Sequence, residues 1–201
     1  MKLKRPSLVS QGSLSRIFHA SNEAWKRCDF QSAIEMMERA NRLNPSNAVI
    51  LLDLGRMYGL RYDYAAAERC FEQAVRVAFK KSDALAAAGE QSRNFNNFTM
   101  AENYFKRAME QKDVSPTIIV KLAELYERLR RTDDAAKLIE RALQSDNYCD
   151  GALLMRARLD RQTGRLETAE KTLRSFLTTA ENEIRVCGWY ELGGVLDRQG
   201  R

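Results

Sequence analysis

Glycine and proline are scarce in this chain, at 10 and 3 of 201 residues, so the turn punctuation of an all-β or loop-rich fold is missing. No run of 18 apolar residues occurs, which excludes an ordinary membrane-spanning helix. Met1 to Ser13 carry Lys2, Lys4 and Arg5 but no apolar stretch of a secretory signal. A cytoplasmic location and no membrane partner are therefore expected. Cys28, Cys70, Cys149 and Cys187 form no C-x-x-C pair and have no histidine at ligand spacing, so neither a zinc site nor a disulfide framework is expected.

Catalytic motifs are missing too. There is no G-x-x-x-x-G-K-S/T phosphate loop, no G-x-G-x-x-G and no G-x-S-x-G elbow. His19 is the single histidine, and it reads as a partly exposed helix residue rather than the centre of a nucleophilic device. The paired acids Asp133–Asp134 and Glu181 with Glu183 fall at expected helix starts, where they favour the helix dipole. Asn97-Phe98-Thr99 fits a glycosylation acceptor that is idle without a signal peptide. No catalytic, cofactor-binding or metal-binding residue is expected, and the chain is not read as an enzyme.

What is present is charge and helix-forming residues. Charged residues make up 30% of the chain, and the net charge is +6. Half of that excess is Lys2, Lys4 and Arg5, in a basic tail expected to be flexible over residues 1–13. The rest is interleaved, as in Glu124, Glu127, Arg128, Arg130 and Arg131 followed by Asp133 and Asp134. That pattern reads as a solvated mixed surface.

An internal period organises everything after the tail. Ala33, Ala67, Ala101, Ala135 and Ala169 are each 34 residues apart, and Ala40, Ala74, Ala108 and Ala142 follow at the same interval. Met37, Phe71, Phe105, Ile139 and Leu173 hold a large apolar position in phase. Ile17, Leu51, Leu85, Ile119 and Leu153 do so upstream. Each unit divides into two amphipathic segments, as in Leu51, Leu54, Tyr58 and then Ala67, Phe71, Ala74. Small residues such as Gly55 and Ala67 mark close helix approach, with Leu54 and Phe71 filling the space beside them. Asn44-Pro45-Ser46-Asn47 closes the first unit, and Ser115-Pro116 opens the fourth with a cap residue and a proline at the first helical position.

This pattern resembles the tetratricopeptide repeat, whose helix A carries W-x-x-L-G-x-x-Y and helix B A-x-x-x-F-x-x-A. Leu54-Gly55 with Tyr58, then Ala67, Phe71 and Ala74, match it, as do Trp189, Leu192 and Gly193. Cys28, Tyr62, Asn96 and Arg130 depart from it, standing where the inter-helix turn often has glycine. The resemblance implies an all-α, right-handed α-solenoid over residues 14–201. About eleven helices are expected, in five full units and helix A of a sixth, starting near 14, 48, 82, 116, 150 and 186. Trp189 lies 36 residues after Leu153, so the sixth unit slips by two. It stops at Gly200-Arg201, which suggests a longer protein. Trp189, Leu192 and Leu196 are expected to stay partly uncovered, as a face for self-association.

The resemblance also implies a protein-interaction scaffold whose A helices line a groove for a peptide or protein partner. In the first three units the inward positions are Phe18, Asn22, Trp25, Leu52, Arg56, Leu60, Glu90 and Arg93. In the next two they are Glu124, Arg128, Arg158 and Arg161. Apolar anchors would dock near Phe18, Trp25 and Leu52, with Arg56 and Arg93 taking acids. The alternative is that Phe18 and Leu52 pack between A helices and Trp25 covers the end of the stack. The chaperone-tail clamp subtype does not fit, because Asp53 and Asp83 stand where a donor and a cation belong. Acids at Glu90 and Glu124 argue against an RNA-reading groove. The segment from Trp189 to Arg201 also looks like one in bacterial proteins that fuse such repeats to a sulfotransferase. This region would then recruit substrate or oligomerise, and 3′-phosphoadenosine-5′-phosphosulfate would bind downstream.

Overall fold

A computed structural model describes the backbone of residues 8–201 and the side chains of residues 14–201 apart from Asn182. The first seven residues of the expected tail lie outside the described residues. Among the described residues there are eleven α-helices and no strand. They divide into two compact units, one ending at Tyr104 and the other beginning at Phe105.

The first unit holds α1 (Leu8–Lys26), α2 (Phe30–Leu43), α3 (Ala48–Leu60), α4 (Tyr64–Val77), α5 (Lys81–Asn94) and the start of α6 (Phe98–Met109). Helix α1 begins inside the segment expected as tail, because after Pro6 no helix-breaking proline interrupts the chain. Hairpins α1–α2 and α3–α4 pair through their alanine stripes, and α3 packs on α2 and α5. Ala33, Ala40, Ala67 and Ala74 are fully buried. At the fully buried Phe71 the rings of Phe95 and Tyr104 close in, with centroids at 6.4 and 5.7 Å. A methyl on Gly55 would sit 2.3 Å from the Phe71 ring, and one on Gly59 would sit 2.2 Å from Phe95. These two glycines therefore set how closely α3 approaches α4 and α5.

The second unit holds the rest of α6, then α7 (Pro116–Arg128), α8 (Thr132–Ser145), α9 (Asp150–Gln162), α10 (Leu166–Thr179) and α11 (Asn182–Arg198). Hairpins α7–α8 and α9–α10 pair in the same way, and α9 also packs on α7 and α11. Leu192 and Val195 of α11 are buried in a cluster with Ala157, Leu173 and Phe176. This corrects the expectation for Leu192, which is packed rather than uncovered. The stripe Gly188, Leu192, Val195 turns toward α9 and α10, and a methyl on Gly188 would meet Phe176 at 2.7 Å. What α11 leaves to solvent is Val186, Trp189 and Tyr190.

One turn device recurs six times, within each of the five hairpins and again after α11. One residue takes a left-handed conformation: Cys28, Tyr62, Asn96 and Arg130 at φ of 61 to 65°, then Gly164 at 80° and Gly200 at 74°. Around each, two backbone bonds close the helix end, as in Asp63 N–H to the Tyr58 carbonyl and Tyr62 N–H to Gly59, both 3.0 Å. This Schellman geometry satisfies carbonyls that the helix leaves unpaired. The four residues that stand in for glycine adopt the glycine conformation regardless, at a cost on the order of 1–2 kcal/mol each for the L-side chain. The step between left-handed positions is 34 until Gly164 and then 36 to Gly200, so the slip in the sixth unit is absorbed between those turns.

Candidate functional site

In the first unit the expected groove residues lie on α1, α3 and α5. Phe18 and Trp25 are half-buried against the core cluster containing Ile50, Leu54 and Met57. The Trp25 ring meets Phe30 edge-on at 4.7 Å. Arg56 reaches back from α3 to lie 5.9 Å from the Trp25 ring centre, within range of a cation–π attraction. Its Nε also stands 3.7 Å from Asp53 one turn earlier. Asn22 and Leu60 are exposed and Leu52 is intermediate. On α5, Arg93 and Glu90 pair at 3.5 Å. The structure thus brings Trp25, Arg56 and Asp53 together, and Glu90 with Arg93.

In the second unit Arg158 and Arg161 both turn to Glu191 on α11, at 2.8 and 3.2 Å. Glu191 is 4% exposed, so two guanidinium groups hold a carboxylate that could not be buried alone. Arg158 also faces Glu127 at 3.5 Å. Glu124 is intermediate and Arg128 exposed, and both are engaged in further contacts. Reading from sequence missed Glu191, because the two-residue slip removes it from the repeat phase. It also missed Asp160, which is completely buried between Arg156 at 3.2 Å and Arg165 at 2.8 Å. The signal for Asp160 was present: it occupies the phase of Tyr58 and Tyr126, with arginines four before and five after.

The remaining candidates have structural duties or plain exposure. Asn97 caps α6, its amide oxygen accepting from Met100 N–H at 3.1 Å. His19 is exposed. Ser115 sits at the cap of α7 but makes no side-chain cap bond. Asp133 and Asp134 lie in the first turn of α8 and Glu183 in that of α11. Cys28 and Cys187 are exposed, and burial pushes the Cys70 thiol up to about 11. No group of side chains able to hold a metal ion occurs among the described residues. No helix among them is long and apolar enough to cross a membrane.

Comparison with known proteins follows the repeat phase. Family models described as tetratricopeptide repeat match residues 48–78 and 120–184. No curated protein matches the chain. Among solved structures, yeast Tom70 superposes with a TM-score of 0.66 at 16% identity, covering 98% of this chain and 45% of that one. MamA gives 0.54 at 18% identity, covering 82% and 90%. YrrB, described as a TPR protein with an unusual peptide-binding site, gives 0.52 at 16% identity, covering 85% and 88%. Similarity at these identities establishes the helical-repeat fold.

Proposed function

Because the chain belongs to the tetratricopeptide-repeat family, whose members generally mediate protein–protein interaction and whose repeats are generally non-catalytic, we propose that it is a cytoplasmic scaffold that binds a polypeptide partner on the A-helix face of its first unit. The observation that carries this reading is the Arg56 guanidinium held over the Trp25 ring. A cation fixed on an aromatic plane is preorganised to take a carboxylate, since it loses little side-chain freedom on binding. Leu52 and Leu60 flank Arg56 at one helical turn on either side, and Asn22 stands exposed on α1. Such a surface suits a segment with acidic residues beside apolar ones.

In the second unit the expected groove residues Arg158 and Arg161 are held by the buried Glu191 at 2.8 and 3.2 Å, whereas Arg56 has Asp53 only at 3.7 Å, so the proposal places the recognition chemistry in the first.

Selection from a displayed peptide library with the full chain tests this. Enriched peptides should carry acidic and apolar residues together. Arg56→Gln and Asn22→Ala should each weaken binding by roughly three- to thirtyfold, about 1–2 kcal/mol, with unchanged circular dichroism. Peptides that bind both variants as tightly as the parent would sink the proposal.

A further inference from the structure

The residue after each left-handed turn position is where the following helix is capped, and its chemistry inverts along the chain. It is Asp29, Asp63 and Asn97 in the first unit, then Arg131 and Arg165 in the second, with Arg201 following Gly200. The clefts between successive turns change with it. In the first unit a cleft of about 400 Å³ is lined by Asp29, Tyr58, Arg61 and Asp63 among others. Its counterpart in the second unit, about 520 Å³, is lined by Arg130, Arg161 and Arg198 together with Thr132 and Thr163, and Asp133 is its one acid.

Three guanidinium groups around one cleft repel one another unless something negative lies among them. Arg130 makes no ion pair among the described residues. Arg198 donates to the Arg161 carbonyl at 2.9 Å. Arg161 gives one terminal nitrogen to Glu191, while its Nε is buried without a hydrogen-bond partner. Each arginine therefore keeps donors unused, and Asp133, together with Glu191 on Arg161, still leaves a positive excess around the cleft. A carboxylate brings two oxygens and a single charge to three guanidinium groups. A tetrahedral dianion has terminal oxygens enough for all of them. We infer that this cleft binds a phosphate-type dianion, supplied either by a phosphorylated side chain of a partner polypeptide or as free phosphate. The peptide face of the first unit does not depend on it, so either can fail alone.

Amide chemical shifts of the whole chain, at constant ionic strength, are followed during titration with inorganic phosphate, a phosphoserine peptide and its unphosphorylated counterpart. Shifts are expected to concentrate at Thr132, Asp133 and Thr163. Arg130→Gly with Arg198→Gln should weaken binding about tenfold or more, the loss of two charge-assisted contacts. Glycine suits the φ of 61° at Arg130, so that loss would not come from unfolding. Arg76→Gln, on α4 of the first unit, should bind as the parent does. Tighter binding of the phosphopeptide than of phosphate assigns the dianion to a partner, and equal binding assigns it to free phosphate. The inference is overturned if neither probe binds, if shifts spread over the basic surface, or if the double variant binds like the parent.

Discussion

The two units use one backbone plan and different chemistry to hold it. In the first, helix starts are capped by short acceptors: Asp29 takes Ser32 N–H at 3.2 Å and Asp63 takes Ala66 N–H at 2.9 Å. Its core is a chain of rings running Tyr64, Phe95, Phe71, Tyr104. In the second unit α8 and α10 begin at Arg131 and Arg165 with no side-chain cap bond. Those arginines pair instead, with Asp134 and with the buried Asp160, both at 2.8 Å. A repeat family thus fixes backbone geometry while leaving local polar bonding free to change. The first solution is short-range, bonding a side chain to its own helix start; the second depends on charges kept in register.

The contrast breaks most visibly at the two centres. Phe71→Ala removes a fully buried ring and should cost about 3–5 kcal/mol. Asp160→Ala leaves two arginines that are partly exposed, at 33% and 56%, and can rehydrate, so its cost should be smaller, about 1–3 kcal/mol. The chain's two tryptophans fall one in each unit, Trp25 and Trp189. Single-tryptophan variants therefore let urea unfolding be read unit by unit. Phe71→Ala should lower the Trp25 midpoint more than the Trp189 midpoint, and Asp160→Ala the reverse. Equal shifts in both signals would show that the units unfold as one.

Smaller effects are expected at the turns. Asp63→Ala should cost about 1 kcal/mol through the lost cap, whereas Arg131→Asp should gain up to about 1 kcal/mol, since an acceptor replaces a cation at a positive helix end. Tyr62→Gly should stabilise by roughly 1 kcal/mol by relieving a left-handed conformation that a tyrosine adopts at a cost. A thermal melt distinguishes these signs. If Arg131→Asp destabilises, the Arg131–Asp134 pair contributes more than a cap would.

The repeat made the helix count and the hairpin plan legible, because core packing imposes the 34-residue phase that alanine and aromatic residues record. Even the turn conformation was encoded: Cys28, Tyr62, Asn96 and Arg130 occupy the glycine position, and Schellman bonding forces each left-handed. What the pattern concealed were features set by partners outside the phase. Glu191 is paired across helices after the register slips. Leu192 is covered because α11 turns its small-residue stripe inward. Arg56 over Trp25 could not be read from spacing, because it depends on how one hairpin seats on the next.

A further expected difference is alkaline lability of the first unit. Burial pushes the Cys70 thiol up to about 11 from its ordinary 9. Burial and then the 2.6 Å hydrogen bond to Glu38 raise the Tyr58 hydroxyl above its usual 10. Both groups are held protonated by the fold, so their contribution is complete below the unfolded values. It falls as pH rises from 9 through 11, where the unfolded chain ionises first and the folded thiol follows. The Trp25 signal should therefore lose melting temperature over that window more steeply than the Trp189 signal. Cys70→Ala with Tyr58→Phe should flatten the difference. The same burial predicts that Cys28 and Cys187 react readily with a thiol reagent at neutral pH while Cys70 stays protected until the unit opens. Reaction of Cys70 at the rate of the exposed pair would mean that α3 and α4 separate far more often than their packing around Phe71 allows.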